Sequence, residues 1–347
     1  MLKVYTLEQP EQWDAVVRSF RQHDVYQLSG YVDGFRIHGD GTPLLLHYED
    51  ETLRGINVVM RRDVAYDPHF VGRLEENRYF DLATPYGYGG WILEGCGKTE
   101  KLVEECEDWC LAHGVAAEFV RLHPILEEQS ELLAKLYDVV PMGPTIAMDL
   151  SSKEMVWANL TSKNRNMIRK AQKSGLTVCR AQCPEIYEVF RELYDQTMDR
   201  DNADQYYYFA PQFYTSILEK LTNQSQVFYA RTADGTIAAA AIMLTENGRM
   251  NYHLSASRRE LQHLAPTNLL LYEAAVWGAE NGFQTLHLGG GVGSREDSLY
   301  SFKKAFYRGN PMRYHIGKKI WNSEAYKMLT NMRQDAPENG FFPAYRR

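Results

Sequence analysis

From Leu286 to Phe306 the chain reads LHLGGGVGSREDSLYSFKKAF: a strand, three glycines, and a helix carrying Lys303 and Lys304. A strand, glycine loop and helix can cradle phosphate, and spacing tests the two familiar versions. A P-loop places four residues between its first Gly and a Gly-Lys-Ser/Thr, but no Gly in this stretch precedes a Lys. The dinucleotide fingerprint G-x-G-x-x-G also fails, because after Gly289 and Gly291 its sixth position is Ser294, and Glu296 and Asp297 stand where pyrophosphate would lie. Three glycines equally let a chain leave a strand at positive φ with no ligand at all. A second concentration is basic. Lys163, Arg165, Arg169, Lys170 and Lys173 crowd into eleven residues without an acid, which reads as a solvated helix face or a surface for polyanions. His253 and His287 fall within strands, where a satisfied core imidazole is the expectation, so neither is nominated as general base. Cys106 and Cys110 lie one helical turn apart, Cys179 and Cys183 flank a turn before Pro184, and no C-x-x-C occurs, so the cysteines read as free thiols and not as a metal site.

These residues need elements to position them. At 347 residues the chain suggests two domains, and 24% charged with 44% hydrophobic residues is a globular balance. A formal net charge of -7 excludes a general polyanion binder and leaves room only for a local basic patch. The N-terminal MLKVYTLEQPEQW turns polar too early for a signal peptide, and the apolar run Ile237–Leu244 is far short of the roughly 20 residues that span a bilayer, so a cytoplasmic location is expected. PLLLHYEDETLRGINVVM reads as strand, turn, strand. QVFYARTADGTIAAAAIMLTENGRMNYHLSAS reads as three antiparallel strands turning at Asp234-Gly235 and Asn247-Gly248. KTEKLVEECEDWCLAHG and PTNLLLYEAAVWGAENG read as helices, the second with Pro266 in its first turn. SSKEMVWANLTSKNRNMIRKAQKSG reads as one helix from a Ser151-Ser152 cap to Gly175, with Val156, Trp157, Leu160, Met167, Ile168 and Ala171 on its apolar stripe. The halves echo one another: each has a meander, a crossover helix ending Trp-x4-Gly (Trp109 to Gly114, Trp277 to Gly282), and a strand ending near a His (His123, His287). This predicts a duplicated unit of mixed α/β class joined near VVPMGPTIAMDL, with domains at 1–145 and 146–347.

In chain order, WANLTSKNRNMIRKAQKSG, LYDQTMDRD followed by tyrosines, YHLSAS, a crossover helix, LHLGGG and LYSFKKAF resemble the FemABX family of peptidoglycan bridge-forming aminoacyl transferases, and ATPYGYGGWIL resembles that family's tyrosine-glycine segment. The resemblance covers most of the chain and implies a tandem pair of GNAT-like domains, the second bearing the catalytic and acceptor-site motifs. Family members move an aminoacyl group from aminoacyl-tRNA to an amine of a wall precursor, and shorter relatives move other acyl groups. By that resemblance Lys303 supplies the catalytic cation beside Phe302, and Gly289 and Gly290 line the acceptor channel. Arg200 grips acceptor phosphate, Tyr86, Tyr88 and Tyr252 contact the acceptor, and the basic segment with Lys163 and Arg169 meets a phosphate-rich substrate. An amine attacking an ester or thioester turns the carbonyl oxygen into an alkoxide, which a fixed cation stabilises by about 3 to 4 kcal/mol. Arg200 also has Asp199 and Asp201 beside it as ordinary ion-pair partners.

Three departures bear on the donor. The helical hairpin that several wall-building members insert has no counterpart between Gly175 and the tyrosine-rich segment. The acetyl-CoA loop of single-domain GNAT enzymes is replaced by RELQHLAPTN, which has no glycine, and Tyr307 stands where a Gly normally follows the second Phe. The expectation is an acyl or aminoacyl transferase with no tightly bound cofactor and no metal, using aminoacyl-tRNA or acyl-CoA on a phosphate-bearing cell-envelope precursor, with peripheral membrane contact where that precursor is lipid-linked. The alternatives are an acyl-CoA-dependent N-acyltransferase of a sugar amine for surface polysaccharide, and a catalytically silent precursor-binding scaffold.

Overall fold

The computed structural model describes residues 1–126, 130–333 and 340–346. They form two compact units, Met1–Met142 with Tyr314–Arg347, and Gly143–Arg313. In chain order the elements are β1 (Leu2–Tyr5), α1 (Pro10–Ser19), α2 (Ser29–His38), β2 (Thr42–Glu49), β3 (Leu53–Asp63), β4 (Phe80–Ala83), β5 (Ile92–Gly95), α3 (Glu100–Ala112), β6 (Val115–Leu122), α4 (Ser130–Leu136) and β7 (Asp138–Asp149). There follow α5 (Lys153–Asn159), α6 (Ser162–Lys173), β8 (Thr177–Ala181), α7 (Pro184–Arg200), α8 (Pro211–Lys220), β9 (Ser225–Arg231), β10 (Ile237–Glu246), β11 (Arg249–Ser257), α9 (Pro266–Glu280), β12 (Thr285–Gly289), α10 (Ser298–Lys304), β13 (Met312–Ile320) and α11 (Ser323–Met332). The fold is mixed α/β.

Each unit repeats one plan. In the first, β2, β3 and β4 form an antiparallel meander, α3 crosses over, and β6 returns parallel to β4. In the second, β9, β10 and β11 form the meander, α9 crosses over, and β12 returns parallel to β11. The turn between β10 and β11 has Asn247 at φ 50° and Gly248 at φ 73°, the left-handed pair a two-residue hairpin demands. The helix α9 has apolar residues on every side because it is buried, and its Gly278 permits close packing: a Cβ there would lie 2.4 Å from the sulfur of Met250. Leu269, Leu270, Leu271 and Leu286 are buried in the same core, each contributing about 1.5 to 3 kcal/mol by leaving water.

Two expectations need correction. The helix from Ser151 to Gly175 is two helices. Leu160 is extended (φ -69°, ψ 143°) and fully buried, and the Thr161 side chain accepts from Asn164 N at 3.3 Å, so a new N-cap interrupts the apolar stripe. The second domain also does not run to the C-terminus. β6 takes β13 as its antiparallel neighbour, pairing His315–Ile320 with Leu122–Ala117, whereas β12 takes the Ile146–Asp149 end of β7. The strand that comes after β6 in the chain, β7, thus pairs with β12, the strand that comes after β12, β13, pairs with β6, and residues from Tyr314 onward belong with the first unit.

Buried polar links hold that return. Glu118 on β6 accepts from Asn57 Nδ2 (2.8 Å), the Tyr137 hydroxyl (2.9 Å) and Trp321 Nε1 (3.1 Å). Burial raises its pKa, against the pull of these donors. Asp81, fully buried, accepts from Arg62 Nε and Arg346 Nε, both at 2.7 Å. Burial alone would raise its pKa, but the two guanidinium groups prevail and hold it below the ordinary carboxylate range.

Candidate active site

The site begins where β12 ends. Gly289 adopts φ 76°, and a register shift against β7 falls between His287 and Gly289, so the strand lets go of the sheet there. Gly290 runs close under β7: a Cβ would come within 2.7 Å of Pro144 O. The loop closes on Asp297, whose carboxylate accepts from Val292 N (3.0 Å) and Tyr300 N (2.9 Å), capping α10. The cap sets the rotation of α10, and Lys303 lands over the loop with Nζ donating to Gly290 O at 2.8 Å. The glycines therefore bring a backbone carbonyl within reach of the lysine.

Burial lowers the Lys303 pKa to about 8, with Asp297 pulling the other way. Near neutral pH the amine is thus a cation that burial has made easier to deprotonate. The adjacent Lys304 has a different place, its Nζ donating to Gly309 O. Phe302 packs edge-on to Phe306 at 5.3 Å and against the core.

The other nominated residues separate by location. Tyr252 on β11 pairs with Met243, packs on the core, and is pushed up to about 12 by burial. Asn251 and His287 are register neighbours on the parallel strands β11 and β12, and both are buried. His253 has its pKa lowered by burial to about 3, which makes it a very weak base at neutral pH. Arg200, at the end of α7, donates from Nε to Asp201 Oδ1 (2.9 Å), from Nη2 to Asp201 Oδ2 (3.4 Å) and from Nη1 to Ser257 O (2.8 Å). Its fork is turned to Asp201, the ion-pair arrangement, so a phosphate there would compete with that carboxylate.

Lys163 and Arg169 are exposed on α6, with the Arg169 guanidinium 5.2 Å from the Trp157 ring centre. Sequence reading passed over Asn164, which joins this basic helix to the lysine helix. Buried, it donates to Ala305 O (3.3 Å) and accepts from Asn268 Nδ2 (2.8 Å), while Thr161 N bonds Ala305 O at 3.0 Å. An Asn four residues after the Leu160 stop was the available signal. Asp297 was also passed over as a cap, although Asp followed by Ser-Leu-Tyr is a recognisable helix start.

Tyr86 and Tyr88 lie in the first unit, on the loop after β4. Tyr86 stacks on Phe35 at 5.6 Å, and burial raises the Tyr88 pKa. Among the described residues, no group of three or more His, Cys, Asp or Glu could hold a metal ion, and no helix is long and apolar enough to cross a membrane. The described cysteines are free thiols.

The region before α9 has its own geometry. A short 3-10 helix spans Arg259–Leu264, and its amides are turned inward: Leu261 N bonds Arg258 O and Ala265 N bonds Gln262 O. Pro266 follows at the first helical position and offers no N–H. In a nucleotide-binding strand-to-helix turn these amides would face the pyrophosphate.

None of the curated proteins matches the chain. The solved structure of FemX is 14% identical, with a TM-score of 0.68 over 94% of this chain and 99% of that one. The C-terminal domain of a putative lysylphosphatidylglycerol synthetase from Agrobacterium fabrum is 17% identical, TM-score 0.56, covering 93% and 94% of the two chains. L-PGS from Bacillus licheniformis is 15% identical, TM-score 0.55, covering 93% and 96%. At these identities the likeness is one of fold. Residues 160–304, the segment containing Lys303, match the family model of an acetyltransferase (GNAT) domain, and the chain as a whole shares its fold with FemX.

Proposed function

We propose that the chain transfers an acyl or aminoacyl group from an activated carrier to an amine, with Lys303 as the cation that stabilises the reacting centre. The carrying observation is a lysine of lowered pKa, about 8, seated beside a glycine strand end of a GNAT domain and fixed to Gly290 O at 2.8 Å. The acceptor nitrogen forms its bond to the acyl carbon while the carbon–oxygen or carbon–sulfur bond to the carrier breaks. The amine proton passes to the leaving oxygen or sulfur. Between these events the carbonyl oxygen carries negative charge, and an ammonium already desolvated and held in place meets it with little reorganisation, worth about 3 to 4 kcal/mol.

For the acceptor, the reading is an amine on a phosphate-bearing cell-envelope precursor, handled in the cytoplasm or at the membrane surface. Arg200 and the exposed Lys163 and Arg169 are its phosphate contacts, and Tyr86, Tyr88 and Tyr252 its polar-aromatic contacts. Aminoacyl-tRNA is favoured over acyl-CoA as donor, because the Leu261 and Ala265 amides ahead of α9 are spent on Arg258 and Gln262 and Pro266 supplies none. The basic helix suits a polyanionic carrier.

The test combines two measurements. Lys303→Ala is assayed by mass spectrometry for amide product with a nucleotide-linked wall precursor and charged tRNA. Loss of product with precursor binding retained supports catalysis, and unchanged product refutes the role of Lys303. Calorimetric titration with coenzyme A decides the donor. Micromolar binding, about -8 kcal/mol, would move the assignment to acyl-CoA, and no heat up to millimolar ligand supports tRNA.

A further inference from the structure

The parallel strands β4 and β6 of the first unit end at a buried His-Asp pair. His123, just past β6, and Asp24 have side chains 1% and 0% exposed, with Nε2 and Oδ2 3.1 Å apart. The amide of Ile125 donates to His123 Nδ1 at 3.2 Å. A ring nitrogen that accepts carries no proton, so Nε2 bears the proton and donates it to Asp24. Asp24 is itself fixed. Its Oδ1 accepts from Val25 N at 2.6 Å, and its own N–H donates to Gln27 Oε1 at 2.9 Å.

Both imidazole nitrogens are therefore engaged, which leaves the ring poorly suited to carry protons and well suited to hold position. Its centre lies 5.7 Å from Tyr26 and 5.7 Å from Tyr88. Tyr26 and Tyr314 each meet Tyr88 edge-on, at 5.8 Å and 5.6 Å. The loop before Tyr88 has no slack either. Gly87 adopts φ 95°, and a Cβ there would lie 2.6 Å from the Tyr26 ring.

We propose that the His123-Asp24 pair is a positioning device for Tyr88, setting the ring that contacts the acceptor. The inference rests on the reading of Tyr88 as an acceptor contact. Asp24→Asn tests it, since one side-chain oxygen can still accept from Val25 N while the amide group faces Nε2–H, donor against donor. The imidazole could only recover by moving its proton to Nδ1, where Ile125 N–H already points, so the ring must turn.

With the nucleotide-linked wall precursor as probe, Asp24→Asn is expected to raise the acceptor KM about tenfold while kcat and the donor KM stay unchanged. His123→Gln keeps a donor toward Asp24, protects the fold if Asp24→Asn does not fold, and removes the ring; it should raise the acceptor KM alike. Tyr88→Ala supplies the control. If Tyr88→Ala weakens acceptor binding and the folded pair variants do not, the positioning role is overturned and the acceptor reading survives. If Tyr88→Ala leaves the acceptor KM unchanged, both fall.

Discussion

Replacing Lys303 by Met should make the protein more stable at neutral pH while removing its activity. The folded pKa of about 8 lies below the ordinary 10.5, so between these values the unfolded chain binds more protons than the native one. Wild-type stability therefore carries a full penalty below about pH 8, regains it as pH rises, and carries none above 10.5. The interval, at 1.36 kcal/mol per pH unit, amounts to about 3 kcal/mol. Because the residue keeps some contact with solvent, we discount this to about 2 kcal/mol. Methionine removes the ionisable group at similar length but leaves Gly290 O without its donor, a loss of about 1 kcal/mol. The net expectation is a gain of about 1 kcal/mol at pH 7 that reverses to a loss of similar size by pH 10.5. Urea unfolding of both proteins at pH 7, 8, 9 and 10 reads this directly. Two stability curves that run parallel across the range would refute the desolvated amine, and with it the physical basis for the role of Lys303. In the same variant kcat should fall by about 10²- to 10³-fold.

Two further substitutions probe the surroundings. Gly290→Ala puts a Cβ 2.7 Å from Pro144 O, so the carbonyl that holds Lys303 must shift; thermal unfolding should show a loss of about 1 to 3 kcal/mol, and kcat should drop about tenfold or more. Asp201→Asn releases the carboxylate that occupies Arg200; acceptor affinity should rise severalfold at low salt and lose that advantage at high salt, whereas an unaltered affinity would remove Arg200 from the phosphate site.

What the sequence disclosed was local. The meander from Gln226 to Ser257, its Asn247-Gly248 turn and the crossover helix behind Pro266 all follow from neighbours in the chain, and all are present. The duplicated plan was legible for the same reason, since each copy announces itself by short-range pattern. The strand exchange was not, because nothing local to Met312–Ile320 says whether Ala117–Leu122 or another edge receives it. Buried polar contacts were equally silent. Asn164 with Asn268, Asp24 with His123 and Glu118 with Trp321 are joined across 104, 99 and 203 residues, and no spacing rule reaches so far. The break at Thr161 went unread because the apolar stripe runs straight through it. Lys303 came from family resemblance, and the structure adds that burial lowers its pKa and that it reaches the glycine strand end at Gly290 O, whereas Lys304 reaches Gly309 O.

The return of the chain to its first unit orders events during synthesis. Leu122 leaves the ribosome roughly 190 residues before Tyr314, so at about 5 to 20 residues per second the edge of β6 waits about 10 to 40 seconds for its partner strand. During that interval Glu118 lacks Trp321 and Asp81 lacks Arg346, whereas the stretch from Gly143 to Arg313 emerges whole. The half of the protein that is made first is thus finished last, and its unpaired strand is the place where nascent chains would aggregate or recruit a chaperone.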